Sequence, residues 1–436
     1  MFQPVPWIGQ WRMVLPNGHP QNPPGIFPPV PSFERCRSSP KTSHNVKKQV
    51  PHEVSHSSGT WDITSKSSCV VSKKNGKGLK RHLDAESTSP PQTKRRNSLP
   101  QVLSSHKEDW EKVSRDIQFY FEKNKQTKEM LRKKMKLRDT LYSIFRKSFP
   151  LCGLYIVGSS MNGTGSCKSD MDMCLMLTHY EMNQRTEATT ILRHLADSLQ
   201  EFDFVQQLQV IYAKVPILKI KDAVSGVEVD LNVNNTVGIR NTQLLNCYTR
   251  MNPRVAPLTL LVKAWAQHHG INEARHMTLS SYSLVLMVIH YLQCECHPPV
   301  VPCIQQMMPN KFQPNEDVRN LKLYEDLPPF VSENSMSLGE LFLGFLHYYS
   351  SKFDFSQQCI SVRLGATIHK NVAIKYQSIK NCPGQWKYIC IEEPFDRTNT
   401  ARAVYDPSAF ELIQSTFNRS ASLLQATRSL QSVLPL

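Results

Sequence analysis

Val157-Gly158-Ser159-Ser160, followed ten positions later by Asp170-Met171-Asp172-Met173, is the most informative part of this sequence. The first four residues predict a tight turn whose backbone N–H groups can hold phosphate oxygens at a helix start. In the second segment the side chains of a strand alternate, so Asp170 and Asp172 are expected on one face and the methionines in a core. Two adjacent carboxylates repel each other, and a hard cation with oxygen ligands is their usual partner. The stretch therefore predicts a metal site beside a phosphate site.

A third carboxylate extends this prediction. Residues 227–233 alternate Val and Leu with Glu228, Asp230 and Asn232, so a strand presents the three polar residues on one face. Asp230 is then expected beside Asp170 and Asp172, and three carboxylates can hold two divalent ions about 3.5–4 Å apart. Mg²⁺ fits such oxygen ligands, with Mn²⁺ as the alternative. We interpret the set as a catalytic site for metal-assisted phosphoryl or nucleotidyl transfer, against the alternative of a plain turn beside solvent-exposed aspartates.

Charge is concentrated near the N-terminus. The chain has 436 residues and a formal net charge of +16, which favours an anionic partner such as nucleic acid. Residues 1–100 contain 15 Lys and Arg but only 5 Asp and Glu. Most of the excess charge therefore lies outside the segment that carries the aspartates, and it is also compatible with a merely solvated basic tail.

The composition divides the chain into segments. Residues 1–105 contain 14 of the 29 prolines and few periodic apolar positions, so we predict a disordered tail. Its basic clusters, within 73–96, are compatible with a nuclear-import signal, an RNA-binding arm or plain solvated charge. We expect helices at 106–150 that pack on a helical domain, a catalytic α/β domain at 151–240, and a mostly helical domain at 241–436. Within these parts, strands are predicted at 210–220 and 227–233.

The twelve cysteines have no disulfide-like or zinc-like spacing. Cys294-Glu295-Cys296-His297 lacks a second matching pair, so ordinary thiols are favoured over a zinc site. This usage fits a reducing compartment, and we expect the cytoplasm, with the nucleus as a second location. No apolar run approaches the ~20 residues that span a bilayer, so no membrane association is expected.

These residues carry a family resemblance. Gly158-Ser159, Asp170-x-Asp172 and Asp230 resemble the signature of the DNA-polymerase-β-like nucleotidyltransferase superfamily. Four further segments, at 241–245, 261–265, 279–283 and 391–396, are together similar to cytoplasmic poly(A) polymerases and terminal uridylyltransferases. Residues 393–404 are most similar to the germline-development poly(A) polymerases (the GLD-2 type), in which a Gly usually stands at the position of Arg397. The resemblance covers about residues 110–410.

The resemblance implies a fold and a set of contacts. The fold is a polymerase-β-like α/β domain and a mostly helical second domain with a PAP-associated segment at about 338–400, with the nucleotide between them. Asp170 and Asp172 would bind both metal ions, and Asp230 would bind one and take the proton from the primer hydroxyl. The implied nucleotide contacts are Gly158, Ser159, Asn241, Thr242, Lys263, Ser281, Tyr282, Asp396 and Asn399.

Several of these residues have implied roles of their own. Asn241 would contact the ribose and Lys263 the β- and γ-phosphates, whereas related uridylyltransferases often have a second Lys where this chain has Gln267. Ser281 would bind a phosphate oxygen, and Tyr282 would stack on the base. Uridylyltransferases usually carry a His near the end of the 391–400 segment. Asn399 is aligned with that His, so the resemblance points to ATP.

The implied reaction is template-independent addition of AMP from ATP to RNA 3′ ends, with release of pyrophosphate. A terminal uridylyltransferase and an inactive RNA-binding scaffold are the alternatives. The sequence shows no RNP-type aromatic motif and no zinc-knuckle spacing. We therefore expect a separate RNA-binding adaptor protein to supply the target RNA.

Overall fold

A five-stranded mixed sheet carries the residues singled out above. In the computed structural model, residues 107–376 and 380–435 are described; the predicted tail at 1–105 and its basic clusters lie outside them. The strand order is β1-β2-β5-β4-β3, with β2 and β5 parallel and the other pairs antiparallel. The strands are β1 (Gly153–Val157), β2 (Met171–Met176), β3 (Val205–Ile211), β4 (Ile217–Asp222) and β5 (Glu228–Val233).

Eleven α-helices are placed in the described residues. In chain order they are α1 (Lys107–Asn124), α2 (Lys128–Ser148), α3 (Ser159–Asn162), α4 (Thr189–Leu199), α5 (Thr236–Met251), α6 (Val255–His268), α7 (Ser281–His290), α8 (Ile304–Met307), α9 (Leu338–His347), α10 (Lys370–Ile374) and α11 (Pro407–Thr427). A hairpin of β6 (Gln358–Ser361) and β7 (Ala366–His369) lies between α9 and α10. None of these helices is long and apolar enough to cross a membrane.

The N-terminal helices correct one prediction. Residues 125–127 separate helix α1 from helix α2. The Thr127 side chain caps α2 by accepting a hydrogen bond from the Met130 N–H. Helix α1 packs on the helical core through Trp110. Helix α2 instead buries Leu141 in the core beneath the sheet, so the prediction that all of 106–150 packs on the helical domain is wrong for α2. The break allows the two apolar helix faces to enter different cores.

The strand predicted at 210–220 is two strands. Residues 212–216 form the connection between β3 and β4, which pair antiparallel. Pro216 at the end of this connection has no N–H group, so it cannot continue a ladder of hydrogen bonds. The resulting hairpin extends the sheet by two strands beside β5.

The helical part forms a second, separate core. Trp265 of α6 is fully buried there, and its indole N–H donates to Ser420 Oγ at 3.0 Å. Its ring packs edge-on against Phe417 of α11, with 4.8 Å between ring centroids. The segment that begins at Ile391 joins this core through a bridge to Ile360 of β6. The 391–400 segment is therefore packed on the helical core through Ile391.

Candidate active site

The sheet register brings the three aspartates together. Asp172 of β2 lies directly opposite Asp230 of β5, and Asp170 immediately precedes β2. Their neighbours Met171 and Val229 are fully buried in the core on the other face. The register places Asp172 and Asp230 on one face, as the two-residue period predicts, and their use with Asp170 as a metal site stays a prediction.

Electrostatic repulsion marks the cluster. Burial, and then the charges of Asp230 and Asp170, raise the pKa of Asp172 to about 7. Burial and the charge of Asp230 also raise the pKa of Asp170. Such mutual repulsion is relieved by a cation bound between the carboxylates.

A divalent metal ion fits these residues chemically. All three side chains are carboxylates, the oxygen donors that Mg²⁺ prefers. Within residues 107–376 and 380–435, no three acid, His or Cys side chains, these aspartates included, are yet arranged to hold a metal ion. Instead, Lys219 of β4 lies opposite Asp230, with 2.9 Å between its Nζ and Asp230 Oδ1. The Lys219 amine therefore lies beside Asp230, one of the three carboxylates that would bind the metal ion.

The predicted turn stands beside Asp172. Gly158 has φ +68° and ψ −149°, a conformation that other residues rarely adopt. A Cβ atom at this position would lie 2.4 Å from Asp172 Oδ2. The glycine is therefore required both by its backbone and by the carboxylate against it. Ser159 follows as the first residue of α3 and is half-buried.

Thr242 supports this turn from α5. Its Oγ1 accepts a hydrogen bond from the Gly158 N–H at 2.8 Å and donates one to the Gly238 carbonyl at 2.6 Å. The side chain is buried, and both bonds are internal. The predicted nucleotide contact by Thr242 is corrected accordingly: its hydroxyl is used to hold Gly158.

Lys134 of α2 was missed at the sequence level. Its amine is buried, and it donates to Gln126 Oε1, Ser160 Oγ and the Ser169 carbonyl at 2.8–2.9 Å. Burial lowers the pKa of Lys134 to about 8, while the charges of Asp172 and Asp170 oppose the change. The lysine ties α2 to both the turn and the segment before β2. A basic helix offers many lysines, so the sequence pattern alone did not distinguish this one.

Lys263 of α6 approaches the aspartates from the helical part. Its Nζ donates to the Thr164 carbonyl at 3.2 Å. Burial lowers the pKa of Lys263, and the charge of Asp172 acts in the opposite direction. The amine is thus held by the segment that follows α3, and the phosphate contact implied for Lys263 stays a prediction.

Glu393 joins three parts of the predicted nucleotide pocket. Its Oε1 accepts hydrogen bonds from Asn241 Nδ2 at 2.8 Å and from the Tyr282 hydroxyl at 3.2 Å. Its Oε2 accepts the N–H groups of Phe395 and Asp396. Burial and then the charge of Asp396 raise the pKa of Glu393, while these hydrogen bonds act against that rise. In the sequence, Glu393 lies within the 391–396 segment, where acidic residues interrupt an apolar stretch.

Asn241 retains one unused polar atom. Its Oδ1 is buried without a hydrogen-bond partner. Buried polar atoms are normally paired, so an unpaired acceptor beside Tyr282 is suited to a ligand hydroxyl. The ribose contact implied for Asn241 stays a prediction, and this atom is the observation that favours it.

A Glu393→Gln protein is expected to raise the KM for ATP about tenfold and to lower thermal stability. Either amide orientation turns an NH₂ group toward two donors, and each unpaired group costs about 1–3 kcal/mol. The matched control is Glu392→Gln, because Glu392 is equally buried but pairs with Ser361 and Arg363 instead. ATP-dependent steady-state kinetics and a melting curve check this. A KM for ATP that rises equally in both variants would contradict a specific role for Glu393.

Asn399 does not face a ligand. Its Nδ2 donates to the carbonyls of Gln385 and Ile389, and its Oδ1 accepts the N–H groups of Ile391 and Ala401. These four bonds use the full capacity of the amide, and the residue is fully buried. The prediction that Asn399 selects the base is therefore wrong; it holds the two arms of the 385–401 segment together.

The remaining predicted contacts lie at the same end of the helical part. Asp396 is half-buried, and its Oδ1 accepts bonds from the N–H and hydroxyl of Thr398. Arg397 takes φ +57°, the region where glycine is favoured, and its guanidinium lies 4.4 Å from the Tyr376 ring centroid. Ser281 is the exposed first residue of α7 and donates to Asn272 Oδ1 at 3.1 Å. Asp396 and Ser281 thus keep part of their polar surface available to a ligand.

Two family profiles match the chain. The profile described as "Poly(A) RNA polymerase, mitochondrial-like, central palm domain" matches residues 113–250, and "Cid1 family poly A polymerase" matches residues 337–399. The first covers α1 to α5 with all three aspartates. The second covers the segment that contains Glu393.

Curated relatives match about three quarters of this chain. The poly(A) RNA polymerase GLD2 of Danio rerio is 45% identical over 74% of this chain and 65% of its own length. GLD2 of Bos taurus is 44% identical over 75% of this chain and 67% of its length. The gld-2 homolog A of Drosophila melanogaster is 44% identical over 77% of this chain but only 25% of its own length. The chain thus spans less than two thirds of the zebrafish and fly relatives.

Solved structures agree with this assignment. A GLD-2/RNP-8 complex matches with a TM-score of 0.66 and 40% identity, over 74% of this chain and 98% of that one. A mutant of the Cid1 poly(U) polymerase bound to MgATP matches with a TM-score of 0.60 and 28% identity, over 73% and 96%. The predicted polymerase-β-like fold class is confirmed. The chain belongs to the GLD2 family of poly(A) RNA polymerases, among the Cid1-like nucleotidyltransferases.

Proposed function

We propose that this chain is a template-independent poly(A) RNA polymerase that transfers AMP from ATP to the 3′ end of RNA and releases pyrophosphate. The observation that carries the proposal is the register that sets Asp172 opposite Asp230, with Gly158 against the Asp172 carboxylate. The 3′-hydroxyl oxygen forms a bond to the α-phosphorus of ATP, the bond from that phosphorus to the β-phosphate bridging oxygen breaks, and the hydroxyl proton leaves. The relatives in zebrafish and cattle are named poly(A) RNA polymerases, which supports the proposal.

The residues divide this work. Asp170, Asp172 and Asp230 would hold divalent ions, for which we propose Mg²⁺ with Mn²⁺ as an alternative, and these would stabilise charge on the transferred phosphoryl group. Asp230, the carboxylate nearest Lys219, is proposed to accept the proton of the primer hydroxyl. Ser159 offers its backbone N–H to the triphosphate, and Lys263 adds a positive charge. Gly158, whose own N–H donates to Thr242, shapes the turn.

The base and ribose are assigned to the helical side. Tyr282 would stack on the base, while Asn241 would use its unpaired Oδ1 for a ribose hydroxyl. Ser281 would donate to a phosphate oxygen from the start of α7. Asp396 remains the acidic side chain available for the base edge, since Asn399 is occupied.

Nucleotide choice tests the proposal directly. On an oligo(A) primer with ATP, UTP, CTP or GTP supplied singly, we expect ATP to be incorporated at least about tenfold faster than UTP. A site that pairs its polar groups with one base leaves them unpaired with another. Gel analysis of labelled primer extension measures the four rates. Preferential extension with UTP would instead assign the chain as a terminal uridylyltransferase; the related Cid1 is named a poly(U) polymerase.

We also propose that an RNA-binding adaptor protein supplies the target RNA, which we expect to be mRNA. Solved complexes of the related GLD-2 contain RNP-8 or GLD-3 as partner chains. A cytoplasmic location, with the nucleus as a second compartment, is proposed on the cysteine usage and the basic clusters of the sequence.

A further inference from the structure

One cross-strand row of side chains runs from the catalytic aspartates across the sheet. The register sets Asp172 opposite Asp230, Asp230 opposite Lys219, and Lys219 opposite Gln209. Adjacent strands lie about 4.8 Å apart, so the row spans about 14 Å. It leads away from the carboxylates toward the outer edge of the sheet at β3.

A second row lies beside the first. Here Glu228 of β5 is opposite Lys221 of β4, which is opposite Gln207 of β3. The alternate residues of the same strands, such as Leu218 and Val229, are fully buried in the core below. Both rows therefore point to the face that bears the aspartates.

The side chains on β3 and β4 are reachable from solvent. Gln207 and Gln209 are exposed, and the side chains of Lys219 and Lys221 retain 28% and 38% of their exposure. We call these four residues the primer face. It offers two positive charges and two amides, the groups that bind phosphodiester oxygens and the edges of sugars and bases.

Resting on the proposed function, we propose that the primer face binds the 3′-terminal phosphodiesters of the RNA primer. The 3′-hydroxyl must reach the aspartates, and the primer face is continuous with them along both rows. Lys219 now pairs with Asp230 at 2.9 Å. When RNA binds, the Lys219 amine passes to an RNA phosphate and leaves Asp230 free for its role in transfer. Lys221, whose Nζ is a looser 3.8 Å from Glu228, binds the next phosphate.

RNA binding without catalysis is the direct test. The probe is a fluorescein-labelled oligo(A) of about 15 nucleotides, long enough for a single-strand site, measured by anisotropy in EDTA without ATP, from about 50 to 200 mM salt. We expect Lys219→Ala with Lys221→Ala to weaken binding roughly tenfold. The slope of log K against log salt should fall by about 0.7 for each lysine. Lys219→Arg should retain most of the affinity.

Lys352→Ala is the matched control. Lys352 is also a half-exposed lysine paired with a glutamate, Glu295, but it lies in the helical part. Its loss removes one positive charge away from the primer face, against two in the lysine double variant, and should change RNA affinity less than about twofold. An equal loss in both proteins would show only a dependence on net charge, and would overturn the proposal.

A second double variant tests the primer face without breaking an ion pair. Gln207→Glu with Gln209→Glu places two negative charges on exposed positions of β3, and should weaken oligo(A) binding while leaving the melting temperature within a few degrees. The control is Gln431→Glu, at another exposed glutamine. Unchanged RNA affinity in the β3 variant would refute RNA binding by the primer face, even if the lysine variants misfold.

Steady-state kinetics distinguish primer binding by the lysines from nucleotide binding by the same lysines. The lysine variant should raise the KM for primer and leave the KM for ATP unchanged. A raised KM for ATP with normal RNA binding would assign the lysines to the nucleotide instead. If the unaltered chain binds oligo(A) through these lysines but incorporates no AMP, the primer face stands and the proposed polymerase function fails. No binding by the unaltered chain at the lowest salt, about 50 mM, would overturn the primer face.

Discussion

An Asp172→Asn protein is expected to lose AMP addition by about 10³-fold or more. Asp172 is the central carboxylate of the cluster, because it lies opposite Asp230 and beside Asp170. Removing its charge removes several kcal/mol of support for charge on the transferred phosphoryl group, and each ~1.36 kcal/mol is one decade in rate. Single-turnover extension of a labelled primer measures this loss. A variant with normal AMP addition would refute the assigned site.

The same substitution should stabilise the protein in EDTA. The pKa of Asp172 is raised to about 7 from an unfolded value near 3.9, so folding favours its protonated form. Asp172 therefore destabilises the native state progressively as the pH rises from about 4 to 7. An asparagine side chain at this position would carry no such penalty. The melting temperature of the Asp172→Asn protein should exceed that of the unaltered chain by a margin that widens from about pH 5 to pH 8.

Asp222→Asn provides the matched control, with the opposite pattern. Asp222 is equally an aspartate on the sheet, at the end of β4, and it is buried. Its Oδ2 accepts the Ser225 N–H at 2.8 Å and so holds the β4–β5 turn. Its substitution should lower stability but retain AMP addition within about threefold. If both variants lost activity in proportion to stability, the loss at Asp172 would be one of folding rather than of chemistry.

Alternation along strands made the catalytic half predictable. The two-residue period in 169–177 and 227–233 assigns each carboxylate to a face without knowledge of the rest of the chain. The buried positions of Met171 and Val229 agree with it. Such a pattern is local, so it survives even though the connection at 212–216 was missed.

The nucleotide pocket was less predictable because its contacts are distant in sequence. Glu393 binds Asn241, which is 152 residues away, and no periodic pattern reports such a contact. Asn399 shows the converse error. Its residue type suggested a base contact, but its role is set by four backbone groups that only the folded chain brings around it.

Lys219 connects the aspartate cluster with the primer face through the strand register. It follows an apolar residue on β4 and reads in the sequence as an ordinary solvent-facing lysine. Opposite Asp230 it becomes the counter-charge of a carboxylate proposed to be catalytic. Burial acts to lower the pKa of Lys219, but the pairing with Asp230 raises it. The proposed exchange from Asp230 to an RNA phosphate would couple primer arrival to readiness of the aspartate. This coupling follows from neighbouring strands and needs no movement of a domain.

A Gly158→Ala protein is expected to lose about 10²-fold in kcat/KM for ATP. The new methyl carbon would stand 2.4 Å from Asp172 Oδ2 and 3.2 Å from its Cγ, so the carboxylate or the turn must shift. A displacement on the order of 1 Å at a positioning group can cost this much. The backbone adds its own strain of about 1–3 kcal/mol, since an alanine is disfavoured at φ +68°.

Gly270→Ala separates strain from collision. Gly270 also has φ +68°, but a Cβ there would meet no atom within 4 Å. Its substitution should also lower stability, because φ is positive at both glycines, and leave kcat/KM within about threefold, because the Asp172 carboxylate is untouched. Melting curves and ATP-dependent extension rates for the two proteins make the comparison. Equal activity in both would mean that the turn at Gly158 does not fix the position of Asp172, and the pairing of phosphate turn and carboxylate on which the site rests would have to be abandoned.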